Sequence, residues 1–193
     1  MTTAARGVIE GHGTSPIGTH RFTRAEYYAL AEYLDPEGHF ELLDGIIYAL
    51  SPAKPPHAGV VTFFENRLAP LAGRYFIRAE RVLEIGLDGS PEPDIAVVAL
   101  DRYHYKTRHP TGADAELVIE VGDTERKPRA KMRCYMRDGR IPLAWRADIP
   151  GRCVEIWTPA DIRNPRDVLH GNDRFEFEGI AFVVNEVFEG LPA

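Results

Sequence analysis

The sequence predicts an α/β fold, with a mixed central sheet flanked by helices and β-hairpins at both ends. Three observations carry this. Strand-like apolar runs alternate with stretches of helical period, in a β-α-β order that recurs along the chain. Turn signals such as Asp44-Gly45 separate short strands near the beginning, and a second β pair closes the chain. Two runs, Ile95–Ala99 and Leu117–Ile119, are apolar throughout and read as buried central strands, each with an acid at one end.

The elements follow in order. Residues 1–20 are rich in Gly, Thr and Ser and read as a flexible tail, leaving 21–193 as a single domain. Thr23 and Glu26 form a capping box that opens a helix over about 23–34. Residues 40–50 read as a hairpin turning on Asp44-Gly45. The proline-rich loop 51–56 leads into a helix over about 57–73, with apolar groups at Val60, Val61, Phe64, Leu68 and Leu71. Strands are expected at 74–79 and 82–87, then a central strand after Asp94. The 101–114 segment has no periodicity and reads as a loop. After the strand ending near Glu120, a helix is expected over about 128–137, its start limited by Pro128. Strands at 142–147 and 154–158 flank a turn at 148–151. A polar stretch at 161–173 precedes a β pair at 175–178 and 180–184.

Composition sets bounds. At 193 residues, the chain can bury a substantial core. Its 44% hydrophobic and 27% charged content is that of an ordinary globular domain. No apolar run reaches membrane-spanning length and no signal-peptide core appears, so a cytoplasmic protein without a membrane partner is expected. Cys134 and Cys153 have neither metal-ligand nor disulfide-framework spacing. A formal net charge of −6 argues against indiscriminate coating of nucleic acid. Basic residues are nevertheless concentrated: seven of them lie between Arg126 and Arg140, against the single acid Asp138. A second cluster, 102–109, interleaves basic and aromatic side chains. Each cluster is either a solvated face or a nucleic-acid contact.

Asp94 and Glu120 carry the chemistry. Two carboxylates on neighbouring buried strands repel one another unless positive charge compensates them. A hard divalent cation with oxygen ligands is the usual compensation, and such a cation promotes phosphodiester hydrolysis. The alternative is that Pro93-Asp94 is simply a strand-entry turn. No Gly-rich phosphate loop, Ser/His/Asp order or zinc-type Cys/His set competes.

Taken together, several pieces resemble the PD-(D/E)XK restriction endonuclease-like superfamily, and within it the Uma-type family described as bacterial restriction endonucleases. Glu41–Ile47 resembles that family's opening hairpin, and Ser51-Pro52 followed by His57 its next step. Pro93-Asp94 resembles motif two, and Leu117–Val121 motif three. Lys131, Tyr135, Gly139–Pro142 and Ala144-Trp145 resemble the continuation. The superfamily's lysine position, two residues after the motif-three acid, holds Gly122, and an acid usual one turn before the helix lysine falls near Lys127.

The resemblance implies a metal-dependent endonuclease that hydrolyses phosphodiester bonds, with DNA as the expected substrate, although no residue here distinguishes DNA from RNA. Asp94, Glu120 and the backbone carbonyl of Val121 would hold Mg2+, with Mn2+ as a substitute. Lys131 would orient the attacking water or stabilise charge on the phosphate, or else be a solvated helix lysine. Glu41 would complete the site or merely begin a hairpin, and His57 would touch phosphate or water or merely lie near a helix start. Tyr135 reads as a packing residue. Cutting both strands of a duplex requires two sites, which makes a homodimer plausible. The departures at Gly122 and Lys127 leave a second reading open, a catalytically silent nuclease fold that binds nucleic acid or a protein partner.

Overall fold

The computed structural model describes residues 20–31, 33, 34, 39–123, 126–138 and 140–192. The proposed tail at 1–20 thus falls outside the described residues, apart from His20. A six-stranded mixed sheet forms the centre, in spatial order β3-β4-β5-β6-β7-β8. Its strands are β3 (Tyr75–Ala79), β4 (Ile95–Ala99), β5 (Ala115–Gly122), β6 (Ala144–Asp148), β7 (Cys153–Trp157) and β8 (Asp167–His170). Neighbours are antiparallel except β5 and β6, which are parallel and joined through helix α3 (Arg126–Asp138). A parallel pair needs such a crossover, because no tight turn can connect the end of one strand to the start of the other.

Two separate hairpins complete the β structure, β1 (Phe40–Leu43) with β2 (Ile46–Ala49), and β9 (Arg174–Phe177) with β10 (Ile180–Val183). In the first, Asp44 and Gly45 both adopt positive φ, at 50° and 76°. That is the turn whose twist matches the flanking strands. Helix α1 (Arg24–Ala31) starts with the expected capping box. The Thr23 amide donates to Glu26 Oε2 at 2.7 Å, and the Glu26 amide donates to Thr23 Oγ1 at 3.3 Å. Helix α2 (Pro55–Leu68) begins two residues earlier than the sequence suggests, because Pro55 and Pro56 sit in the first turn, where no amide donor is needed. Helix α3 likewise begins at Arg126, with Pro128 inside its first turn. Helix α4 (Val184–Val187) closes the chain.

Strand alternation divides the core into two layers. Leu117, Ile119 and Val121 of β5 face α2, where Val60, Phe64 and Leu68 pack with Trp145, Phe175 and Phe182. Val118 faces the other way, onto Met132, Tyr135 and Met136 of α3. Every one of these side chains is buried.

Two sequence expectations need correction. Residues 82–87 form no strand; Leu83 and Ile85 are buried, but their amides bond to Pro91 and Gly89 within the same loop. Alternating burial there comes from a chain folded back on itself, not from a sheet neighbour. Conversely, the polar 161–173 stretch contains β8, an edge strand of which three residues are exposed. An edge strand buries too little to leave an apolar pattern.

Candidate active site

The β4–β5 ladder pairs Ile95 with Ile119, and the next step would set Asp94 against Glu120. At that point β4 has ended, and the amide of Val121 donates to Oδ2 of Asp94 at 2.6 Å. An Asp side chain thus takes the place of a ladder carbonyl and fixes its carboxylate at the sheet end. The other oxygen, Oδ1, lies 3.0 Å from Nε2 of His57, in the first turn of α2. Asp94 is only 8% exposed.

Alternation along β5 turns Glu120 toward α3, opposite the face of Ile119 and Val121. There the hydroxyl of Tyr135 donates to Glu120 Oε1 at 2.6 Å. Nζ of Lys131, one helical turn earlier on the same face, lies 3.3 Å from Glu120 Oε2. The same ammonium lies 3.0 Å from Glu41 Oε2 and donates to the backbone carbonyl of Glu92 at 2.7 Å. Three donors directed at three acceptors use the full capacity of an ammonium. The Glu92 amide, in turn, donates to Glu41 Oε2 at 3.4 Å. Glu41, Glu120 and Lys131 are all buried.

The electrostatics follow from this crowding. Burial drives the carboxyl of Glu120 well above the usual range, and the charges of Asp94 and Glu41 add to the effect while Lys131 opposes it. Burial disfavours the Lys131 ammonium, but Glu120 and Glu41 outweigh it and hold its pKa above the ordinary lysine value. The hydrogen bond to Asp94 raises His57, against its own burial. Burial and then Glu120 keep Tyr135 neutral, so that it acts as a donor.

All five side chains singled out from the sequence, Glu41, His57, Asp94, Glu120 and Lys131, come together at one end of the sheet. Three carboxylates here face one ammonium and one imidazole, and Glu41 Oε1 is buried without any hydrogen-bond partner. A surplus of buried carboxylate oxygen suits a hard cation such as Mg2+. No group of three or more His, Cys, Asp or Glu side chains among the described residues is arranged to hold an ion by itself.

Sequence reasoning undervalued Tyr135, which bonds directly to Glu120. It missed Glu92, whose carbonyl anchors Lys131. It also missed Arg146, which lies beside Glu120 in register on β6 and is 1% exposed. Arg146 donates to Glu155 Oε1 at 2.9 Å and to Asp148 Oδ1 at 2.8 Å. An isolated Arg in a strand gives no sequence sign that it is buried. The basic clusters are partly engaged in ion pairs at the surface. Arg129 pairs with Glu155, Arg137 with Asp44 and Asp88, and Arg108 with Asp101 and Asp114.

Comparison with known proteins gives the family and the fold. The family model Uma2, described as "Putative restriction endonuclease", matches residues 24–183. Among solved structures, the chain resembles a protein from Anabaena variabilis titled a putative nuclease belonging to DUF820, with a TM-score of 0.67 at 17% identity. The match covers 86% of this chain and 97% of that one, and at this identity it shows a shared fold. None of the curated proteins matches. With the family model spanning most of its length, the chain belongs to the Uma2 family of restriction endonuclease-like proteins.

Proposed function

We propose that this protein is a divalent-metal-dependent endonuclease that hydrolyses phosphodiester bonds in DNA. The observation that carries the reading is the position of Lys131, whose ammonium lies 3.0 Å from Glu41 and 3.3 Å from Glu120 at the sheet end that also holds Asp94. A lysine beside carboxylates sets positive charge where a phosphate can be met, although here the lysine comes from a helix and Gly122 stands in the strand position. The family description, restriction endonuclease, supports DNA as the substrate class.

Asp94, Glu120 and the carbonyl of Val121 are the groups assigned to Mg2+, or to Mn2+ in its place. The bound ion would supply Lewis acidity and make a bound water easier to deprotonate. The remaining roles belong to the chain. Lys131, whose three donors are taken by Glu41, Glu120 and the Glu92 carbonyl, acts through its charge and offsets negative charge on the phosphate. Glu41 holds that ammonium in place, and Tyr135 fixes the rotamer of Glu120. His57 orients Asp94 through its 3.0 Å contact, and its second ring nitrogen would serve a phosphate oxygen or a water. Two such sites would be needed to cut both strands of a duplex, which a homodimer would provide.

Nicking of supercoiled plasmid in Mg2+ or Mn2+ tests the proposal. Wild type is expected to nick, and Asp94→Asn, Glu120→Gln and Lys131→Ala are each expected to lose more than about a hundredfold in rate. Equal nicking by wild type and all three variants would mean that the activity arises elsewhere or from a contaminant. If no nicking occurs but DNA binding persists, the second reading, a silent nuclease fold, takes its place.

A further inference from the structure

We propose that Arg78 and Arg81 form a phosphate-binding pair that holds the backbone of a nucleic acid beside the Asp94–Glu120 site, an inference that rests on the nuclease reading. Strand β3 is an edge of the central sheet and runs alongside β4, with Arg78 opposite Ala96 and Ala79 opposite Ile95. One residue further, the amide of Glu80 donates to the carbonyls of Pro93 and Asp94, at 3.0 and 3.3 Å. Glu80 has a φ of 50°, so the chain turns left-handed directly beside Asp94, and Arg81 follows at once. Both arginines thus flank the end of the sheet where the candidate site lies.

Their charge is uncompensated. No ion pair among the described residues involves Arg78 or Arg81, whereas Arg108, Arg129, Arg137 and Arg146 are each paired with acids. Nε of Arg78 is buried and has no hydrogen-bond partner. Burial and the neighbouring Arg81 both lower the pKa of Arg78, with no carboxylate acting against them. Two adjacent guanidinium groups with an unsatisfied donor are expected to have a ligand that is an anion.

Arg78 is also held in place by a ring. The guanidinium of Arg78 lies 5.5 Å from the ring centroid of Tyr105. Tyr105 is held by its hydroxyl, which donates to the carbonyl of Ala99 at 2.8 Å. This ring contact restrains the guanidinium of Arg78, a residue that remains partly exposed, so that its terminal Nη groups can meet phosphate oxygens. Arg81 is exposed and can close on the same group or on the next phosphate along the strand.

The test is fluorescence anisotropy with a short labelled DNA duplex in chelator, repeated over a range of salt concentrations. Arg78→Ala/Arg81→Ala is expected to flatten the slope of log K against log salt by about 1.8, and exposed Arg81→Ala alone by about 0.9. The control Arg163→Ala/Arg166→Ala, at exposed positions leading into β8 on the opposite edge of the sheet, should leave the slope unchanged. If wild type binds but the Arg78 and Arg81 variants keep its slope, the pair is no phosphate contact, and the nuclease reading stands without it. Should wild type neither bind nor nick DNA, the nuclease reading falls and this inference with it. Saturable binding of inorganic phosphate that depends on Arg78 and Arg81, with an unchanged DNA slope, would assign the pair to free phosphate and overturn the polynucleotide role.

Discussion

The backbone amide of Val121 and the carboxylate of Asp94 are joined at 2.6 Å, so a side chain from one strand completes the hydrogen bonding of its neighbour. Asp94 is therefore part of the sheet as well as part of the candidate site. The sequence offers only mutual repulsion between these two acids unless positive charge compensates them; the structure adds bonds that hold each of them. Lys131 and Tyr135 compensate Glu120, and His57 and the Val121 amide compensate Asp94.

Asp94→Ala should consequently destabilise the protein by about 1–3 kcal/mol, because it leaves a buried amide without an acceptor. Asp94→Asn keeps one side-chain oxygen and should cost less. Urea denaturation of the three proteins measures this. An alanine variant as stable as wild type would show that the Val121 amide has another acceptor.

Lys131→Met should be more damaging to the fold than either Asp94 variant. It leaves Glu41 and Glu120 buried with no cation between them, a loss of about 3–5 kcal/mol. Adding Glu41→Gln and Glu120→Gln to that variant should restore much of the stability, since no charge then remains unpaired. Failure of the triple variant to recover would mean that packing of the lysine stem, and not charge, is what matters.

Asp114 offers a pH-dependent test away from the candidate site. Its carboxylate accepts from Arg108 Nη1 at 2.7 Å and from the Thr111 amide at 2.8 Å, closing a capping box over Gly112–Asp114. Its pKa is lowered from 3.8 to about 2, first by the bond to Arg108. A carboxylate depressed in the folded state stabilises the protein above its unfolded pKa, and that contribution is lost as pH falls through the folded one. Asp114→Ala should therefore be less stable than wild type at pH 7 by about 1 kcal/mol. The gap should narrow between about pH 4 and pH 2. Thermal melts across that range check it, and a gap independent of pH would remove the ion pair as the cause.

Much of the fold was legible because its signals are local. The Thr23–Glu26 capping box, the Asp44-Gly45 turn and the apolar runs at 95–99 and 117–119 each formed the element that they predict. Residues 82–87 misled because burial in a loop leaves the same alternating pattern as burial in a strand. Strand β8 escaped notice because an edge strand has little to bury. The gathering of Glu41, His57 and Lys131 around Asp94 came from the family resemblance, since no local pattern shows that a hairpin, a helix start and a second helix meet. Arg146, Arg78 and Arg81 were not foreseen. What distinguishes them is the presence or absence of partners, which only the three-dimensional arrangement reveals.

The central claim is that Asp94 and Glu120 bind a divalent metal ion, and isothermal titration of Mn2+ and Mg2+ into the purified protein tests it most directly. Wild type is expected to bind with a defined stoichiometry, while Asp94→Asn and Glu120→Gln, each shown to be folded, should lose more than about tenfold in affinity. Heat of binding that is the same in all three proteins, or absent from wild type at millimolar metal, would contradict the claim.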